Sequence, residues 1–246
     1  WQVKDIYSGS SNSGVSSMFS FNNMLYFSAN DGIHGSELWK TDGTSSGTVM
    51  VKDIYSGSNN SYPTQFTNLD GSLFFTANDG NAYSVWKTDG TESGTVVFKE
   101  NAGSFGIHYS IGEYMYFKDL NNKLWRSDGS LAGTEMISAN HSVFTNNFVE
   151  TSDIIYFIEQ SINSPQPTSY SLWKIDKNSL NLQALVTGLS HASQLSVVED
   201  TLYFRANDSV HGEELWRSDG TIAGTVMAAD IANGSANSLW YGQSKR

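Results

Sequence analysis

Carboxylates and histidines are the side chains of this sequence that could carry chemistry, and most of them recur. His34 and His211 occupy the same place in NDGIHGSELW and NDSVHGEELW, whereas His108 in SFGIHYSIGEY is singular. A general base needs a nucleophile or acid within hydrogen-bond reach, and the candidates for an acid beside His108 are Glu113 and Asp119. A glycosidase requires two opposed carboxylates, and no singular pair stands out. A glycosidase or lyase is therefore the third of three hypotheses.

The aspartates fall into two kinds of repeated turn. Asp31, Asp79 and Asp208 lie in NDG or NDS segments, where their oxygens suit calcium, a hard cation. The ligand spacing of an EF-hand is missing, and Asn, Asp and Gly are typical of hairpins, so calcium stays a hypothesis. In the second kind of turn, Asp precedes Gly and caps its own backbone, which predicts a structural role. These residues are Asp42, Asp89, Asp128 and Asp219.

The turns belong to longer repeats. ELWKTDGTSSGT at 37–48 and ELWRSDGTIAGT at 214–225 are nearly identical, and three weaker copies lie between them. One pocket needs a catalytic motif once, whereas a structural module recurs. The copies follow each other at 39 to 48 residues, the range of a four-stranded propeller blade, so we expect their tryptophans to be buried between blades. These are Trp39, Trp86, Trp125, Trp173 and Trp216.

The residue pattern predicts strands and little helix. In the first copy, SSMFSF, MLYFSA, SELWKT and TVMVKDI carry the aromatic and β-branched residues of strands. A parallel β-helix has shorter repeats without two-residue hairpins. We therefore predict an all-β fold, a single β-propeller domain of about five four-stranded antiparallel blades or part of a larger propeller. The predicted units are 3–50, 51–96, 97–134, 135–183 and 184–225, with a partial sixth at 226–246.

These units resemble the ELWxxDGT repeats of large secreted or surface proteins of bacteria. The resemblance covers nearly the whole chain, and it is strongest in the first, second and fifth units. It implies a β-propeller and a secreted or cell-surface location. It implies no catalytic residues and no particular activity, because the family has no general assigned activity.

Composition limits the partners. The formal net charge is −11 and 16% of the 246 residues are charged. Nucleic acid and anionic membranes attract basic surfaces, so we expect neither as a partner. No apolar run is long enough to cross a bilayer, and cysteine is absent, which excludes disulfides and zinc–thiolate sites.

Variable loops on a repeated scaffold are where binding residues are expected. Tyr7 and Tyr55 lie in the DIYSGS connections, and the segment 159–171 holds two prolines and Tyr170; the prolines predict a surface loop there. With the singular pair His108 and Tyr109, these aromatic and histidine side chains are the ligand-binding candidates. The first hypothesis is a non-enzymatic extracellular binding or adhesion module that recognises a glycan or a protein.

The chain ends suggest the second hypothesis, an architectural repeat protein of a surface fibre or sheath. QVKDI near the start and TVMAADI near the end both match the fourth strand of a unit. In a closed five-blade ring they would compete for one outer edge, and an unpaired edge strand is a template for self-association. Alternatively, the natural array is longer than this chain.

Overall fold

The computed structural model describes residues 2–102, 109–121, 123–138, 144–161 and 168–231. Within these ranges the chain forms twenty strands and no helix, and therefore no helix that could span a membrane. The strands form five four-stranded antiparallel sheets, each with its strands in sequence order. The all-β prediction with four-stranded antiparallel sheets is confirmed.

The chain divides into two compact units, Trp1–Ala139 and Asn140–Arg246. The first unit contains three sheets. The first sheet is β1 (Ser16–Phe21), β2 (Met24–Asn30), β3 (Ser36–Thr41) and β4 (Val49–Lys52); the second is β5 (Thr64–Leu69), β6 (Ser72–Asn78), β7 (Tyr83–Thr88) and β8 (Val96–Lys99); the third is β9 (Tyr109–Ile111), β10 (Tyr114–Lys118), β11 (Leu124–Ser127) and β12 (Thr134–Ser138).

The second unit contains the other two sheets. The fourth sheet is β13 (Phe144–Glu150), β14 (Ile154–Ser161), β15 (Ser169–Asp176) and β16 (Leu182–Leu189); the fifth is β17 (His191–Val198), β18 (Thr201–Asn207), β19 (Glu213–Ser218) and β20 (Val226–Ala229). Each sheet therefore begins with the strand before the one that carries YF or FF, and its third strand carries the repeated tryptophan.

A β-bulge recurs in every sheet at the tryptophan of the third strand. The register between third and fourth strands shifts between residues 38 and 39, 85 and 86, 124 and 125, 172 and 173, and 215 and 216. A bulge bends the strand and re-aims the side chains beside it. The repeat thus fixes a backbone irregularity as well as a residue type.

The tryptophans differ in burial. Trp39 and Trp86 are buried, as predicted, whereas Trp125, Trp173 and Trp216 are half-buried. Trp86 packs in the apolar cluster that joins the first two sheets, which also contains Leu38 and Phe75. Its indole Nε1 donates to the carbonyl oxygen of Ala77 at 3.2 Å, so its polar atom is satisfied inside the core. Trp39 packs on its own sheet and on the N-terminal segment.

Two sequence predictions about irregular segments are wrong in part. Residues 2–15 form no strand; QVKDI lies instead along the first sheet, where Lys4 Nζ donates to the Thr48 carbonyl oxygen at 2.7 Å. TVMAADI does supply the last strand, β20, whereas the prediction of a strand at QVKDI is wrong. The segment 159–171 is not all loop, because β14 continues to Ser161 and pairs with β15 from Ser169; its prolines lie outside the described residues.

We predict that Trp86→Ala lowers the free energy of unfolding by about 3 to 5 kcal/mol, the cost of deleting a core aromatic. Trp216→Ala should cost less, because that ring is only partly buried. Chemical denaturation of both variants measures this difference. Equal losses, or a loss below about 1 kcal/mol for Trp86→Ala, would show that this ring does not hold the first two sheets together.

Candidate functional site

The DG turns are built as structural caps, which confirms the sequence prediction for their aspartates. Asp42 Oδ1 accepts from the backbone nitrogen of Thr44 at 2.9 Å and from its hydroxyl at 2.7 Å. The side-chain hydrogen bond from Thr44 holds the pKa of Asp42 below its ordinary value. A Cβ at Gly47 would overlap this carboxylate, which explains why the second glycine of DGTxxGT is required. Equivalent contacts occur at Asp89, Asp128 and Asp219.

The NDG turns use their carboxylates in a similar way. Asp31 Oδ1 accepts from the backbone nitrogens of Ile33 and His34, and Oδ2 lies 2.7 Å from His34 Nδ1. Asp208 and His211 repeat this arrangement. The hydrogen bond that His34 donates to Asp31 raises the pKa of His34. His34 and His211 thus share a hairpin role, as predicted.

The calcium candidates lie in three separate hairpins. Asp79 Oδ1 accepts from the backbone nitrogen of Asn81 at 2.9 Å, so it too is engaged by its own turn. Among the described residues no three His, Asp or Glu side chains come together in a group suited to a metal ion. The geometry therefore gives calcium no ligand set beyond single turn carboxylates.

The glutamate of ELW is a buried connector that the sequence reasoning missed. Glu37 is fully buried and accepts three hydrogen bonds, from the backbone nitrogens of Ile54 and Ser61 at 2.8 and 3.0 Å and from the Ser61 hydroxyl at 2.6 Å. Burial raises its pKa to about 7, against the opposing effect of these donors. Glu37 thereby ties the first sheet to the linker 53–61, which leads into the second sheet.

Tyr7 and Tyr55 lie in the irregular segments that lead into the first and second sheets. Each ring is half-buried and packs on the glycine of an NDG turn, Tyr7 on Gly32 and Tyr55 on Gly80, where a Cβ would collide with the ring. This contact accounts for tyrosine in DIYSGS by packing. Neither ring lines the groove between the first and second sheets.

This groove opens between the first strands of the first and second sheets, β1 and β5, with a volume of about 440 Å³. We call it the tyrosine groove, and none of its lining residues is charged. Both strands carry a bulge, at Ser17 and Gln65, which have positive φ of 52° and 54°. The Ser17 hydroxyl donates to that of Thr64 at 3.3 Å and joins the two strands. The side chains that define the groove are Ser17, Ser28, Tyr62, Thr64, Gln65 and Tyr83.

Tyr62 is the most unusual residue of the groove. Its φ is +49° and 53% of its surface is exposed. A bulky residue in the left-handed region is strained, and Gly14 occupies the equivalent position before the first sheet with φ +58°. Comparison of NSGVSS with NSYPTQ in the sequence could have singled out this tyrosine in place of glycine.

The catalytic candidates are not brought together. Asp119 follows β10 and accepts from the backbone of Asn121 and Lys123 and from the indole of Trp125. Glu113 lies in the turn before β10, so the two acids are at opposite ends of one strand, roughly 20 Å apart at 3.3 Å per residue. His108 lies outside the described residues, and Tyr109 is the first residue of β9.

Tyr170, the last ligand candidate, lies in β15 of the second unit. It is half-buried, its hydroxyl accepts from Gln160 Nε2 at 3.2 Å, and its ring is 5.5 Å from that of His191 in the fifth sheet. Sequence reasoning paired it with no other residue. The structure thus places it at a contact between the two sheets of this unit.

Comparison with solved structures gives likeness in fold alone. A prolyl endopeptidase matches with a TM-score of 0.52 and 9% identity, over 83% of this chain and 34% of that chain. An oligogalacturonate lyase in complex with manganese gives 0.43 and 14%, over 61% and 47%, and an oligogalacturonate lyase from Vibrio parahaemolyticus gives 0.45 and 12%, over 86% and 60%. The chain thus spans 34% to 60% of the length of these structures. No family model matches the chain, and no curated protein matches it significantly.

We predict a pH-dependent effect of Glu37→Gln on stability. The folded state binds this proton more tightly than the unfolded chain, because the pKa rises from 4.5 to about 7. The stability from this group is therefore present below pH 4.5 and lost as the pH rises through about 7. Glutamine cannot lose a proton, so the stability of the variant lacks this pH dependence. The amount by which its free energy of unfolding falls below that of the wild type should therefore shrink by about 3 kcal/mol between pH 4 and pH 8.

Denaturant titrations at both pH values measure this change. Glu92→Gln, at an exposed position, is the matched control and should show the same small difference throughout. A Glu37→Gln deficit that is equal at both pH values would contradict a raised pKa.

Proposed function

We propose that this chain is a non-enzymatic binding module of a secreted or cell-surface protein, a β-propeller of about five blades whose tyrosine groove binds a neutral glycan. The five four-stranded sheets and the ELWxxDGT resemblance support the propeller architecture. The resemblance alone supports the extracellular location.

The exposed Tyr62 in a strained conformation carries the proposal. Positive φ at a bulky residue costs of order 1 to 3 kcal/mol, and such strain concentrates at functional sites. A tyrosine there is not required by the repeat, because the first unit places Gly14 at this position. Binding supplies a reason to keep an aromatic ring at the mouth of the groove.

The chemistry of the groove suits a sugar. Hydroxyl groups of Ser17 and Thr64 and the amide of Gln65 stand beside the rings of Tyr62 and Tyr83. Gln65 Oε1 accepts from the Thr76 hydroxyl, and in the part of the chain that the structure describes no protein group accepts from its Nε2. Neutral donors and acceptors beside amphipathic rings match the hydroxyl-rich faces of an uncharged saccharide.

The size of the groove favours a glycan over a protein surface. Its volume of about 440 Å³ is that of a small-molecule site, whereas stable protein interfaces bury roughly 800 Å² on each partner. The second unit has an inter-sheet contact of its own, where Tyr170 lies beside His191. Charged side chains lie at this contact, whereas none lines the groove.

We predict that Tyr62→Asn abolishes glycan binding without loss of stability. Asparagine tolerates positive φ, so the free energy of unfolding should stay unchanged or rise by up to about 1 kcal/mol. The probe is an array of neutral gluco-, galacto- and manno-oligosaccharides with and without calcium, followed by calorimetry on those that bind.

Ile33→Asn, at an exposed hairpin position outside the groove, is the matched control and should bind as the wild type does. Binding that survives Tyr62→Asn, or wild-type protein that binds no neutral oligosaccharide, would refute the proposal. If binding is lost when calcium is removed, the binding site would be assigned to the NDG turns instead.

A further inference from the structure

Four side chains of the second unit form a charged cluster where the fourth and fifth sheets meet. We call it the His191 cluster: Tyr170 from β15, His191 from β17, Arg205 from β18 and Glu213 from β19. Glu213 forms ion pairs with both Arg205 and His191. The Tyr170 ring meets the His191 ring edge to face. The cluster is partly open, since 37% of the His191 side chain is exposed.

Residues of the cluster stand at the same strand positions in the fifth sheet as residues of the tyrosine groove do in the second sheet, but some of them are charged. Tyr83 pairs with Asn78 across β6 and β7, and Glu213 pairs with Asn207 across β18 and β19. The first strand of the fifth sheet, β17, has the same bulge as β5, with Gln194 at φ 57°. A position that is neutral in the second sheet is therefore charged in the fifth.

The first strands of the second and fifth sheets, β5 and β17, are equivalent in the same way. Thr64 pairs with Thr76 in the second sheet, and Ser193 pairs with Arg205 in the fifth. Two residues before these serine and threonine positions stand Tyr62 and His191. His191 thus takes the place of the strained tyrosine.

The donors of the cluster are not all satisfied within it. The guanidinium of Arg205 and the imidazole of His191 both lie beside the carboxylate of Glu213. Arg205 Nε is buried and finds no acceptor among the described residues, and a buried unpaired donor is costly. His191 Nδ1 is 2.6 Å from Glu213 Oε1 but is not aligned for a hydrogen bond. Glu213 alone therefore does not satisfy the donors around it.

We propose that the His191 cluster is a second binding site, which takes the carboxylate of an acidic saccharide such as a uronic acid. His191 and Arg205 meet the carboxylate, and a charge-assisted contact to arginine favours that group over a hydroxyl. The half-buried Tyr170 ring and the Gln160 amide, bonded to its hydroxyl, contact the sugar ring. This site is independent of the tyrosine groove, since the two lie in different units.

Calorimetry with a short oligoglucuronate and with a neutral oligoglucose of equal length tests the site. The wild type should bind the acidic oligomer, and both His191→Gln and Arg205→Gln should weaken that binding about tenfold or more. His211→Gln is the matched control, because that histidine has the same kind of acidic partner in a hairpin. Tyr62→Asn should leave binding of the acidic oligomer unchanged, which separates this site from the groove.

A second measurement covers the case in which Arg205→Gln fails to fold. In the NMR spectrum of the wild type, the oligoglucuronate should shift the imidazole resonance assigned by His191→Gln and leave that of His211 in place. Equal effects on both histidines, or equal affinity for the neutral oligomer, would overturn the proposal. Displacement by inorganic sulfate at equal affinity, or tighter binding of a polyglutamate peptide, would overturn the assignment to a saccharide.

Discussion

The buried carboxyl group of Glu37 makes the interactions on which the tyrosine groove of the first unit depends. A carboxylate without solvent is tolerated only when its oxygens are hydrogen-bonded, and here all three donors come from the linker 53–61. Ser61, which supplies two of them, directly precedes Tyr62. The same bonds that join the two sheets therefore fix the backbone that carries the strained tyrosine into the groove.

The sequence predicted the regular structure closely because strands and tight turns are local. SSMFSF and SELWKT coincide with β1 and β3, and the aspartates of the DG turns cap their own backbone as expected. The errors arise where tertiary context decides. VKDI at 51–54 begins in β4, because β3 offers it an edge, whereas the identical VKDI at 3–6 forms no strand.

The candidate sites were harder to predict for a related reason. Tyr7 and Tyr55 recur and look available in the sequence, yet their rings cover turn glycines. The groove depends on positive φ at Ser17, Tyr62 and Gln65, which no composition or spacing reveals. A better signal is departure from the repeat, because a sheet can change the residues at one strand position without changing its backbone. Neutral side chains then stand at that position in the second sheet and charged ones in the fifth.

We propose above all that a neutral glycan binds in the tyrosine groove. NMR of protein with labelled tyrosines, titrated with the neutral oligosaccharide that binds most tightly on the array, tests it most directly. We expect saturable shifts of the ring resonances of Tyr62 and Tyr83, with those of Tyr7 and Tyr55 unmoved. Shifts at Tyr7 and Tyr55, with Tyr62 and Tyr83 unaffected, would contradict it and would place recognition on the linkers.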